Sequence, residues 1–507
     1  MRRPLTAAVV ALGLSVSVLS AATSSSAAGD GSRPDSPEQA ASTADRALEE
    51  AAEALDGTSP GRVESVTLAL RDLSLALPDL DPSDRKRAQA LLARPTQGTN
   101  DPFGDGYTVP SKKKCSQKIC VHWVPSTSDA PPSKKWVNRN LAVMKKTWAR
   151  EVGKLGYRRP VKDGRRGGSS KFDVYLKDVG AKGYYGYCAK ERLKPGTRWM
   201  ASGYCVLDND FSRAEYGAPP AESLRVTAAH EFFHAIQYAY DYAEDGWLME
   251  ATATWMEERV ADGINDNRQY LPHGQVAQPA DPLDFYNSGG FDQYGNWAFF
   301  EYLSTRFGKG VVRKIWNNAD GNYRNHSVKA IKQSLPRRQS FPGVFRSYAA
   351  ANTVPGRSYP EGGKWPSAPM AGSHTLGSGS PAASGALRVD HLAARHLALR
   401  PADTLRKKSW RVRVSIDGPG RRTSPAAYVI VHKKNGKQER HAIKLNRKGD
   451  GRKVFRFSTR SVKKLTVTLA NASTRFDCWQ QQLVYTCQGT PKDDGKRFAW
   501  KATAFRR

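Results

Sequence analysis

Acidic side chains, cysteines and long apolar runs are all in short supply in this 507-residue chain. The acidic deficit is the largest. Only 48 Asp and Glu stand against 79 Lys and Arg, a formal charge of +31. Such a charge predicts attraction to anionic polymers, whether wall teichoic acids, lipid head groups or nucleic acid. Specific nucleic-acid recognition is disfavoured, because no recognition-helix motif, zinc-finger spacing or aromatic-basic strand motif occurs. Adhesion to anionic cell-envelope polymers remains, beside a plainly solvated basic surface. Of long apolar runs there is one, Leu5 to Ala22, behind Met1-Arg2-Arg3 and ahead of Ser26-Ala27-Ala28. It reads as a secretory signal over 1–28, too short and serine-rich for a membrane span. The expected product is secreted and extracellular, with no transmembrane anchor. The cysteines include no C-x-x-C, which argues against a thiolate zinc site or a redox motif. All six lie beyond the signal and form three local pairs, 115–120, 188–205 and 478–487. An even number in an exported chain predicts disulfides; six cysteines allow fifteen connectivities, and the local pairing is the one expected here.

Composition divides the rest. Residues 29–97 are rich in Ala, Leu, Asp and Glu, with helical spacing over Ala47–Leu55 and Val63–Leu77. Between Asp30 and Thr96, 13 acidic residues outnumber 8 basic ones, so this leader is acidic where the remainder is basic. It reads as a propeptide docked by opposite charge or as a helical spacer, and Asp84-Arg85-Lys86-Arg87 offers a processing site. Residues 98–355 form a predicted catalytic block. Lys118–Val124 and Lys171–Leu176 read as strands, Asn138–Leu155 as a helix, and Gly183–Cys188 and Gly203–Leu207 as sheet edges joined by a disulfide. Asp292–Leu303 reads as a further helix. Residues 356–386, rich in Gly, Ser and Pro, read as a linker. Residues 387–507 alternate over Trp410–Ile416, and two more alternating runs flank the hairpin signal Asn435-Gly436. The fold class expected is α+β: a small sheet with motif helices, then a basic all-β, sandwich-like domain.

One stretch carries chemistry. Arg225-Val226-Thr227-Ala228-Ala229-His230-Glu231-Phe232-Phe233-His234 places His-Glu-x-x-His in a helical segment. Side chains four apart share a helix face, so both imidazoles can aim at one point. Imidazole nitrogens at that spacing bind Zn²⁺, and the glutamate between them can take a proton from water. A second helical segment, Trp247–Trp255, follows Asp245-Gly246, and its Glu250 can supply a third ligand. The fourth position then stays open, as in catalytic zinc sites. The competing reading is a buried helix whose histidines are satisfied by hydrogen bonds. Asp241, seven residues after His234, is a rival third ligand. Glu257 shares a helix face with Glu250 and can orient a ligand.

His230-Glu231-x-x-His234 followed by Trp247-Leu248-x-Glu250 resembles the gluzincin branch of zinc metallopeptidases, close to the thermolysin-like pattern. It is also similar to a group of secreted bacterial proteins classed as metalloproteases. The firm resemblance spans about residues 224–260, with a looser likeness from Cys115 to Gly308. It implies a zincin-like catalytic domain in which His230, His234 and Glu250 hold zinc and Glu231 is the general base. The Gly and third ligand of the metzincin extension are replaced by Gln237 and Tyr240. The G-x-M-E-N run by which related aminopeptidases grip an amino terminus is missing, so the expected activity is that of an endopeptidase. Thr254 stands where thermolysin-like enzymes have Asp. Such enzymes stabilise the oxyanion with a Tyr or His from further along the chain. Tyr294 is the first candidate here, His273 the second. The alternative function is a non-catalytic envelope-binding protein with a structural or degenerate metal site.

Overall fold

A computed structural model describes residues 37–58, 65–100, 106–319, 325–480 and 484–507. The signal expected over 1–28 lies outside the described residues. Among the described residues, no helix is long and apolar enough to cross a membrane. The fold is α+β.

The leader contributes α1 (Pro37–Asp56), α2 (Val66–Ala76) and α3 (Pro82–Leu91). Ser65 caps α2 by accepting from Leu68 N, and Asp81 caps α3 by accepting from Ser83 N and Asp84 N, a common way to satisfy first-turn amides. The run 84–87, expected as a processing site, lies within α3. There Arg85 bonds the carbonyls of Leu77, Pro78 and Leu80, and Arg87 pairs with Glu49.

A five-stranded sheet follows: β1 (Lys112–Cys115), β2 (Ile119–Trp123), β3 (Phe172–Lys177), β4 (Gly186–Leu193) and β5 (Ala201–Asp208), in the order β1-β2-β3-β5-β4. Of the two disulfide-joined strands, β4 is an edge and β5 is interior, which corrects the expectation that both are edges. The β2–β3 and β3–β5 pairs are parallel, and the two outer pairs are antiparallel. One face is covered by α4 (Lys134–Trp148), which ends in a π-turn over Ala149–Lys154, and, beyond the short α5 (Arg213–Tyr216), by α6 (Pro220–Gln237). The other face is covered by the leader, where Leu48, Leu55, Leu70 and Leu73 join Tyr175, Tyr187, Tyr204 and Val206 in one cluster. The sheet is thus the middle of three layers. Further helices complete this body: α7 (Gly246–Ala261), α8 (Asp292–Gly295), α9 (Trp297–Phe307), α10 (Gly310–Asn318), α11 (Ser327–Ser334) and α12 (Phe341–Ala351). The single helix expected over 292–303 is broken at Asn296, whose side chain bonds Gln275 N and Leu283 O.

Arg94 joins leader to body. All five of its N–H donors are placed: Nε on Glu191, Nη1 on Asp173 (2.5 Å) and Tyr175 (3.1 Å), Nη2 on Asp163 (2.7 Å) and Glu191 (2.6 Å). Gly167, at φ +64°, lets the loop close over the cluster; a Cβ there would lie 2.2 Å from Asp173 Oδ2.

The C-terminal region is a β-sandwich. β6 (Gly372–Leu376), β8 (Ala393–Pro401), β10 (Pro425–Lys433), β11 (Gln438–Ile443) and β13 (Val462–Asn471) form one sheet. β7 (Ala382–Val389), β9 (Trp410–Asp417), β12 (Asp450–Arg456) and β16 (Lys496–Arg506) form the other, and β14 (Phe476–Asp477) pairs with β15 (Thr490–Pro491). The stretch 356–386 is not a linker. It supplies β6 and most of β7, and Trp365 packs on Trp297. Its Ala, Ser and Gly residues fit a tightly paired strand opposite β16, where Gly385 lies across from Trp500.

Three disulfides join Cys115–Cys120, Cys188–Cys205 and Cys478–Cys487, the pairing expected from spacing.

Candidate metal centre

Helix α6 is buried on most of its circumference, as suits a helix inside a core, and Pro220 sits in its first turn, where its missing N–H costs nothing. Phe232 packs against Trp148 and Phe172, and Phe233 against Tyr157. This locked helix turns His230 and His234 toward α7. Their rings stand 4.9 Å apart, and Glu250 reaches in from the first turns of α7. Glu250 Oε2 lies 3.0 Å from His230 Nε2, and Oε1 lies 3.5 Å from His234 Nε2. One ligand atom from each of the three lies within 4.8 Å of the others.

The far ring nitrogens fix the tautomers. His230 Nδ1 is 2.8 Å from Glu257 Oε1, and His234 Nδ1 is 2.7 Å from Gln237 Oε1. Gln237 is itself oriented, since its Nε2 donates to Met249 O and Thr252 Oγ1. Both imidazoles can therefore donate at Nδ1 and direct Nε2 lone pairs to a common centre. Such outer partners are what metal-binding histidines require. Two imidazoles, one carboxylate and this outer shell fit a zinc ion.

Electrostatics separates the carboxylates. Burial raises the pKa of Glu231, opposed by His230 and His234. A base held above the ordinary carboxylate range suits proton transfer near neutral pH. Burial acts the same way on Glu250, but the two histidines outweigh it and hold the group below the usual range. Burial pushes Glu257 up to about 7, against the pull of His230.

The site opens on a cavity of about 90 Å³ lined by His230, Glu231, His234, Glu257, Tyr270 and Tyr294, among others. Tyr294 stacks on the His230 ring at 5.9 Å. His273 is exposed and does not line the cavity itself, although it packs on Phe291, which does. Asp241 accepts from Ala243 N in a turn and is no part of the converging group.

Two leader residues missed in the sequence reach the centre. Ser65 Oγ donates to Glu250 Oε1 at 2.6 Å, and Thr67 Oγ1 donates to Glu231 Oε2 at 3.1 Å. No local pattern marks them. Gln237 was also missed as a partner, although its place three residues after His234 puts it on the same face. The leader docks by apolar packing of α2 rather than by the opposite charge read from composition: Leu68, Leu70 and Leu73 are wholly buried.

Residues 94–342 match the model of a "Family of unknown function (DUF6055)". No curated protein matches the chain. Among solved structures, the pre-peptidase C-terminal domain of a collagenase from Bacillus anthracis is 9% identical. That likeness covers 27% of this chain and 97% of the other, at a TM-score of 0.16. A family GH115 4-O-methyl-α-glucuronidase is 8% identical over 70% of this chain and 54% of the other, at a TM-score of 0.13. Neither likeness bears on the chemistry.

Proposed function

We propose that the protein is a secreted zinc-dependent endopeptidase. The observation that carries this reading is the joint placement of His230, His234 and Glu250 around one point, with Glu231 beside them on the cavity. His230, His234 and Glu250 would hold the ion. When bound, zinc supplies Lewis-acid polarisation of a peptide carbonyl and acidification of water. Glu231 would take a proton from the attacking water and return it to the leaving amine. Glu257 and Gln237 hold the imidazoles in the tautomer that faces the centre. Tyr294, stacked on His230 at the cavity, would donate to a developing oxyanion. A purely structural site needs no base, so Glu231 favours the enzyme over the non-catalytic alternative.

The disulfides support an extracellular setting. The C-terminal domain is assigned to anchoring on anionic envelope polymers. Residues 387–507 hold 30 Lys and Arg against 8 Asp and Glu, a net +22 of the chain's +31. Arg411 and Arg413 on β9, Arg452 and Arg456 on β12 and Lys501 on β16 share one outward sheet face, set by the register Arg456↔Arg411 and Lys501↔Ser415.

Zinc content and casein hydrolysis test the proposal. About one ion per chain is expected, lost in H230A, with hydrolysis abolished by chelation and restored by zinc. A chain that stays zinc-free in excess zinc overturns it.

A further inference from the structure

The outer strand β4 borders the candidate centre. Cys188 faces its disulfide partner Cys205 on the neighbouring strand β5, and the backbone groups of Cys188 turn to the open side of β4. That open side is already engaged. Cys188 N donates to Thr67 Oγ1 at 2.9 Å, and Cys188 O accepts from Tyr238 at 3.1 Å. A free strand edge is where an extended peptide adds most readily. Thr67 therefore stands on that edge and holds the base Glu231 at the same time, while Ser65 holds Glu250. The remaining cavity, about 90 Å³, has room for an ion and a few waters, at roughly 30 Å³ of liquid volume each. Ligand clefts normally run to about 300–1,000 Å³.

We propose that Ser65 and Thr67, at the entrance to α2, are an intramolecular plug in the peptide-binding cleft, so that the full chain is latent. This rests on the endopeptidase reading above. Two anchors seat the plug. Leu68 packs on Gly246 at the start of α7, where a Cβ would lie 3.1 Å from Leu68 Cδ1. Arg71 Nη1 donates to Glu244 O at 2.6 Å. The apolar contact makes the seat insensitive to salt. The separable unit ends before Arg94, because that side chain completes the buried carboxylate cluster of the body. A cut that frees the plug falls in the short connection after α3, at Leu92 or Ala93.

The test uses the full, zinc-loaded chain and a fluorescent peptide hydroxamate. S65G/T67G removes both hydroxyls and keeps a residue tolerated at a helix N-cap. The plug predicts probe binding about tenfold tighter or more in the variant, the change that two lost hydrogen bonds bring. It also predicts that, in the wild type, saturating probe speeds amide hydrogen exchange over residues 66–70. Casein turnover should rise in the variant. Unchanged affinity, or probe binding with α2 fully protected, overturns the plug. So does a fall in turnover at unchanged zinc content, because a positioning role for Thr67 predicts that opposite sign. Tighter probe binding without casein hydrolysis leaves the plug standing and removes the endopeptidase reading. A chain that takes no zinc in either form removes both.

Discussion

Replacing Arg94 with Met strips the counter-charge from Asp163, Asp173 and Glu191 while keeping most of the side-chain volume. All three carboxylates are almost fully buried, at 6%, 0% and 2% side-chain exposure, so water cannot stand in for the lost donors. Removing one member of a buried pair costs about 3–5 kcal/mol. Asp173 keeps His122 at 2.8 Å and Glu191 keeps Arg166 at 4.0 Å, so Asp163 is stranded and the other two are under-compensated. A loss of about 4 kcal/mol is expected against a total stability of roughly 5–15 kcal/mol. For a body of this size that is a fall in Tm of about 8–16 °C. Calorimetry resolves the test, because the sandwich has its own core and its own transition should stay in place. Burial already lifts Asp163 to about 6 with Arg94 present, so the stranded acid should neutralise in mild acid. The deficit of R94M should shrink between pH 7.5 and pH 5, since protonation removes the uncompensated charge. A fall of less than about 3 °C at pH 7.5 refutes the reasoning that Arg94 belongs to the body. The same reasoning predicts that a chain starting at Gly98 folds poorly and one starting at Leu92 does not.

Other outcomes follow from the same geometry. E250A should weaken zinc binding by more than the roughly 10–100-fold of an outer-partner loss, and D241A should leave it nearly intact; competition with a fluorescent chelator reads both. The opposite ranking would move the third ligand to Asp241. Q237L should lower zinc affinity about 10–100-fold, because His234 Nδ1 loses its acceptor. His391 tests the contact between the sandwich and the body. Burial disfavours its charge, but Asp284 at 2.9 Å and Asp494 at 2.5 Å outweigh burial and lift its pKa to about 9. Its contribution is complete below the ordinary histidine pKa of about 6.5 and is lost as pH rises through 9, up to about 3 kcal/mol. H391Q should flatten the stability profile over that window, and an unchanged slope in chemical unfolding would contradict the assignment.

What the sequence made legible was local. Helical spacing placed His230, Glu231 and His234 on one face, and the Asp245-Gly246 helix start brought Glu250 opposite them. Strand alternation located β2, β3 and β9, and sequence-local cysteine pairs were the choice among fifteen connectivities that the structure holds. The rest depends on contacts between distant segments. Ser65 meets Glu250 across 185 residues of chain, and Thr67 meets Glu231 across 164. Net charge suggested how the leader docks, yet its apolar face decides it, because α2 buries leucines against the sheet. Arg94 looked like part of the leader by composition and belongs to the body by its five hydrogen bonds. Gly, Ser and Ala over 356–386 suggested a linker, but small residues equally suit a strand packed close beneath Trp500.

The central claim is that Glu231 is a base beside a bound ion. Glu231→Gln, made in the full chain and in the S65G/T67G chain, separates the two roles in one preparation. Zinc content should match the parent, because no ligand is lost. Casein hydrolysis should fall by about 10²–10⁴-fold, the usual worth of general acid–base catalysis. Parental turnover with zinc retained would contradict the account.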